Sequence, residues 1–153
     1  MGNLAKLILA AMVCLVMVGG ASAEIPGQPF VKVTVPQETV DLGTVWGPGV
    51  KRLAARLQAH VLANCPFHLS ASFRGFRHEQ GKAVVSAGDM QVAINGKQVS
   101  SVTGRVPIAS SSKPTPADGV DVPVDLQVGV KGCEYYPAGR YNGVLVITVV
   151  PGF

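Results

Sequence analysis

The chain has 153 residues, 48% of them hydrophobic, with 13 Lys plus Arg against 9 Asp plus Glu and a net charge of +4. That length fits one domain with a sizeable core. The basic residues are scattered along the chain and not clustered into a stripe, which argues against a nucleic-acid partner, and a mild positive charge serves solubility.

Residues 1–23 read as a secretory signal peptide. Lys6 precedes an apolar run from Leu7 to Val18, followed by Gly19, Gly20 and the small-residue stop Ala21-Ser22-Ala23. Cleavage is expected before Glu24. The apolar core spans about a dozen residues where a bilayer-crossing helix needs roughly 20, so an uncleaved anchor is the weaker alternative. Cys14 lies inside this core behind Val13, away from any small-residue site for lipid attachment. The expected mature chain, 24–153, is a single exported domain with no stable membrane anchor: secreted, periplasmic or at the cell surface.

The mature chain alternates. Val31, Val33 and Val35 share one face against Lys32 and Thr34, and a second short strand, Val40 to Trp46, is expected after the Pro36 break. From Leu53 to Phe73 one parity is apolar (Leu53, Ala55, Leu57, Ala59, Val61, Ala63, then Phe67, Leu69, Ala71, Phe73), facing Arg52, Arg56, Gln58, His60, His68 and Ser70. A helix over Leu53–Asn64 competes through i, i+4 spacing, but it has no reason to keep parity across Pro66. Strands on both sides of Pro66, joined by a bulge or bend, are expected.

Asn95-Gly96, between Met90–Ile94 and Lys97–Val102, predicts a two-residue hairpin turn. Ala109 to Gly119 reads as a loop. Val122 to Val130 is the clearest alternating strand, and Pro137-Ala138-Gly139 turns into Tyr141–Val150, whose two apolar faces read as a central strand. Seven to nine strands without a mature helix predict an all-β fold, a single antiparallel β-sandwich of immunoglobulin type.

Export also changes the reading of the cysteines, because oxidising compartments let thiols pair. Cleavage removes Cys14 and leaves Cys65 and Cys133. A disulfide between them is expected; it would close a loop of about 68 residues and remove roughly 4 kcal/mol of denatured-state entropy. Two separate buried thiols are the alternative, and neither cysteine sits in a nucleophile signature.

No constellation carries chemistry. His60 and His68, eight residues apart on one continuous strand, would stand roughly 26 Å from each other, too far to share a metal ion. His78 and Glu79, beside Arg74 and Arg77, read as a solvated polar turn. Asp118, Asp121 and Asp125 lack the glycine-punctuated loop and closing glutamate of a calcium site. Ser110, Ser111 and Ser112 have no arranged base. Trp46, Tyr135, Tyr136 and Tyr141 suit a sugar platform less well than core packing or a tyrosine at a sandwich corner. No enzyme activity, metal or cofactor is expected.

Two segments carry a resemblance. Val40-Asp41-Leu42-Gly43-Thr44-Val45, with the alternating strand that ends in Cys65, and the closing run Tyr136-Pro137-Ala138-Gly139-Arg140-Tyr141 through Val149 resemble spore-coat U and chaperone-usher pilin-like domains. The departures are a first strand without cysteine and the ending Val150-Pro151-Gly152-Phe153. The resemblance implies an exported surface or fimbria-like subunit and supplies no active residue. The expected function is a non-catalytic structural or adhesive subunit acting through protein partners or self-association, with Val31, Val33 and Val35 as the edge-strand contact. The alternative is a ligand-binding or inhibitory module built from the aromatics near Trp46 and the loop Ser110–Gly119.

Overall fold

The computed structural model describes residues 27–37, 39–45, 47–99 and 104–152. The expected signal peptide and the cleavage site before Glu24 lie outside the described residues, as does Trp46. Eight strands are present among them: β1 (Val31–Thr34), β2 (Val50–Ala63), β3 (Phe67–His78), β4 (Met90–Ile94), β5 (Lys97–Val99), β6 (Val106–Ser111), β7 (Val120–Lys131) and β8 (Tyr141–Pro151). They form two sheets, one of five strands in the order β1-β2-β7-β4-β5 and one of three in the order β6-β3-β8, and every pair is antiparallel.

The alternation around Pro66 builds both sheets. In β2, Leu53, Leu57, Ala59, Val61 and Ala63 are buried; in β3, Phe67, Leu69, Ala71 and Phe73 are buried. Because the apolar side of each strand faces the same core, the chain must leave one sheet and enter the other at Asn64-Cys65-Pro66. Asn64 ties that crossing down: its Oδ1 accepts from the Phe30 N–H at 2.7 Å and its Nδ2 donates to the Gln28 carbonyl at 2.8 Å. No helix forms over Leu53–Asn64.

Asn95 and Gly96 turn β4 into β5 with φ of 49° and 75°, the left-handed conformations that a tight hairpin demands. The Asn95 side chain then joins the turn to β7, its Oδ1 accepting from the Asp125 N–H at 2.7 Å.

Two strand expectations are corrected. Val40–Val45 forms no strand; it runs as irregular chain whose Leu42 and Val45 are nevertheless buried in the core. Tyr141–Val150 forms a strand, but not a central one. In the three-stranded sheet β3 occupies the centre, and β8 stands at the end of the order. Apolar residues on both faces of β8 therefore do not reflect pairing on both sides.

Candidate functional site

Four strands end the two sheets, and three carry features that discourage further pairing. β1 is four residues long, includes Lys32 and is followed by Pro36. β5 has three residues, with Lys97 and Gln98 exposed. β6 contains Pro107, shifts register opposite Leu69/Ser70, and has the Lys97 ammonium on its Pro107 carbonyl at 3.4 Å. Short strands, lysines, prolines and bulges are the usual protections of a sheet edge.

The fourth, β8, has none of them. It is 11 residues long, contains no charged side chain, and its proline is the last residue. One side pairs with β3 from His78↔Tyr141 to Phe67↔Pro151; among the described residues no strand pairs with the other. β1 of the other sheet approaches β8, and Val45 shares a cleft with Tyr141. At the start of β8, Asn142 Oδ1 is buried without a hydrogen-bond partner among the described residues.

Val31 and Val33 belong to the other sheet, and Val35 follows their strand β1 and packs against the core. β1 pairs with the end of β2 through Val31↔Ala63 and Val33↔Val61, and Val33 is buried. The valine face is turned to the protein's own core.

The expected Cys65–Cys133 disulfide is absent: both thiols are free. The register gives the reason. Cys65 follows the end of β2 by two residues, whereas Cys133 follows the end of β7, and Lys131 of β7 pairs with Val50 at the start of β2. The cysteines therefore lie a full strand apart, roughly 40 Å at about 3.3 Å per residue, where a bridge needs Cα atoms within about 7 Å. Cys133 is buried in a small cleft of about 20 Å³, open to solvent and lined also by Val45, Val85, Val130, Tyr136 and Tyr141. Burial, then the negative charge of Glu134, pushes its thiol pKa up, which suppresses the reactive thiolate.

Tyr136 closes one wall of this cleft. Its hydroxyl donates to Asp89 Oδ2 at 2.6 Å and accepts from the Ser86 N–H at 3.0 Å, tying the 3₁₀ turns Ala87–Asp89 and Cys133–Tyr135 together. Of the residues named for a binding module, Trp46 lies outside the described residues. Thr115 of the Ser110–Gly119 loop accepts from the N–H of Ala63, at the far end of β2 from Val50, while the cleft with Val45 and the tyrosines lies at the Val50 end beside Cys133.

The histidines separate as well. His60 is on β2 with its Nδ1 2.7 Å from Asp121, and His68 is exposed on β3 in the other sheet. Asp125 pairs with Arg56 at 2.7 Å. His78, expected in a solvated turn, is buried: the register shift between Arg74 and Arg77 reverses parity, so Phe73, Phe76 and His78 all point inward. Its Nδ1 accepts from the Gln80 N–H at 3.1 Å and its Nε2 lies 3.3 Å from the Ala138 carbonyl.

The free edge of β8 was missed in the sequence, where an uncharged apolar run reads equally as a central strand or as an unprotected edge. Among the described residues no group of three or more potential metal-ligating side chains is present. No protein-family model matches the chain, and no curated protein matches it either.

Proposed function

We propose that this chain is an exported, non-catalytic structural or adhesive subunit that works by accepting a strand from another polypeptide along the free edge of β8. The observation that carries this reading is the contrast between β8, long and uncharged, and three protected edges. Strand addition draws its affinity from main-chain hydrogen bonds, and an edge kept free of lysine and internal proline is what such a partner needs.

The strand orders support an immunoglobulin-type assignment. β1-β2-β7-β4 follows the A-B-E-D order, and β3-β8 follows C-F. In that correspondence the place beside β8 belongs to a final strand G, and among the described residues it is unfilled. The resemblance to pilin-like domains supports the same reading.

The test is assembly of the mature protein, followed by light scattering and by co-purification with a periplasmic chaperone. Oligomers or a chaperone complex are expected, and Thr148→Lys with Val150→Lys, which places charges on this edge strand, should abolish both while leaving the fold intact. A wild-type protein that remains monomeric and unbound at high concentration would overturn the proposal.

A further inference from the structure

Basic residues that are scattered in the sequence are gathered by the fold. Arg74 and Arg77 are exposed on β3, paired across to Val144 and Asn142 of β8, and the neighbouring Phe73 and His78 point inward, so both guanidinium groups lie on the outer face of the three-stranded sheet. Arg105 immediately precedes Val106, whose partner is Ala71; with Val106 buried, exposed Arg105 takes the outer face one diagonal step from Arg74. Lys82 lies in the turn that follows β3, and Arg140 meets the same turn through the Glu79 N–H donating to its carbonyl at 2.8 Å.

Among the described residues gathered here are five cations and one carboxylate, Glu79, whose Oε2 is 3.9 Å from Arg140 Nε. Strands β3, β6 and β8 contain no Asp or Glu. Taking these six residues from the chain's 13 basic and 9 acidic ones leaves eight of each, so the six carry an excess of four positive charges. On the outer face of the five-stranded sheet Arg56 and His60 are paired with Asp125 and Asp121, while Lys32, Arg52 and Lys131 are spread over three strands.

From this placement we infer that the Arg74-Arg77-Arg105 corner is a binding surface for an anionic polysaccharide, a chain carrying repeated sulfate or carboxylate groups. Guanidinium forks bind such groups in a bidentate manner, and an unneutralised cluster attracts a polyanion over a longer range than isolated pairs do. The rest of the face suits sugar better than nucleic acid. It presents Ser70, Ser72 and Thr148 beside Val144 and the exposed Val150, whereas Phe67, Phe73, Phe76 and Tyr141, the aromatic rings of β3 and β8, are all buried and leave no platform for base stacking. This surface does not depend on strand addition at β8.

The experiment measures binding of the full mature chain to heparin, to single-stranded DNA and to anionic phospholipid vesicles at about 0.15 M salt. Heparin should bind best. The triple variant Arg74→Ser, Arg77→Ser, Arg105→Ser should weaken heparin binding by at least about tenfold, with an unchanged thermal unfolding midpoint. A control triple with the same charge change on the five-stranded sheet, Lys32→Ser, Arg52→Ser, Lys131→Ser, should keep binding within about threefold. Equal losses in the two triples, no heparin binding, or equal or tighter binding to DNA or vesicles would overturn the inference.

Discussion

Tyr141 donates its hydroxyl to the Pro137 carbonyl at 2.8 Å while its ring stands edge-on to His78, the two ring centroids 5.0 Å apart. The turn into β8 is thus fixed from both sides, by a bond back along the chain and by a buried ring across it. Gly139 completes the arrangement, since a Cβ there would meet His78 Nε2. Tyr141→Phe should cost about 1–2 kcal/mol by orphaning the Pro137 carbonyl. Gly139→Ala should cost about 1–3 kcal/mol through overpacking. Urea unfolding checks both; values near zero would mean that the corner is not held by these contacts.

Leu57 is 1% exposed opposite Val124, while its neighbour Arg56 points to solvent and pairs with Asp125. Leu57→Asp should therefore cost about 3 kcal/mol or more, or prevent folding, by burying an unpaired charge. Arg56→Asp loses an exposed pair and should cost only about 1 kcal/mol. Equal tolerance at the two positions in chemical denaturation would contradict the register of β2.

The thiols of Cys65 and Cys133 should behave differently. Cys65 is partly exposed and should react with a thiol reagent in the native protein, whereas Cys133 is buried and should react only after unfolding. Intact mass should match the fully reduced chain. A mass lower by two hydrogens, with no reactive thiol after unfolding, would contradict the strand-length separation of the cysteines.

Alkaline pH should destabilise the fold. Burial raises the pKa of Cys133, Tyr136 and Tyr141 above their ordinary values of 9.0 for a thiol and 10.0 for a phenol, helped at Cys133 by Glu134 and at Tyr136 by the hydrogen bond with Asp89. As pH rises the unfolded chain loses these protons first. The stabilisation is complete below the ordinary thiol range and disappears as pH climbs through the raised values. Thermal midpoints should fall above about pH 9, and Cys133→Ala should delay the onset. A midpoint constant to pH 11 would argue against burial of these groups.

Period-2 alternation was enough to read β2, β3 and β7, because a strand with one buried face writes that face into every second residue. The Asn95-Gly96 hairpin was legible from the positive φ angles that its two residues tolerate. Three features were not. The burial of His78 depends on a register shift between Arg74 and Arg77 that cancels one step of parity, and no local residue type announces it. The separation of Cys65 and Cys133 follows from how β2 pairs with β7, a long-range property that an even cysteine count cannot convey. The basic corner is assembled from β3, the turn after it, the residue before β6 and the residue before β8, so charges up to 66 positions apart in sequence meet only in the fold.

Residue-resolved amide hydrogen exchange along β8 tests strand addition most directly. In the isolated folded chain, amides bonded to β3 should be protected and those directed to the open side should exchange rapidly, giving an alternating pattern from Tyr141 to Val150. In the assembled or chaperone-bound form the fast set should become protected while the β1 and β5 edges stay unchanged. Uniform protection of β8 in the isolated chain, or assembly that slows β1 or β5 and leaves β8 as it was, would contradict the assignment of β8 as the acceptor edge.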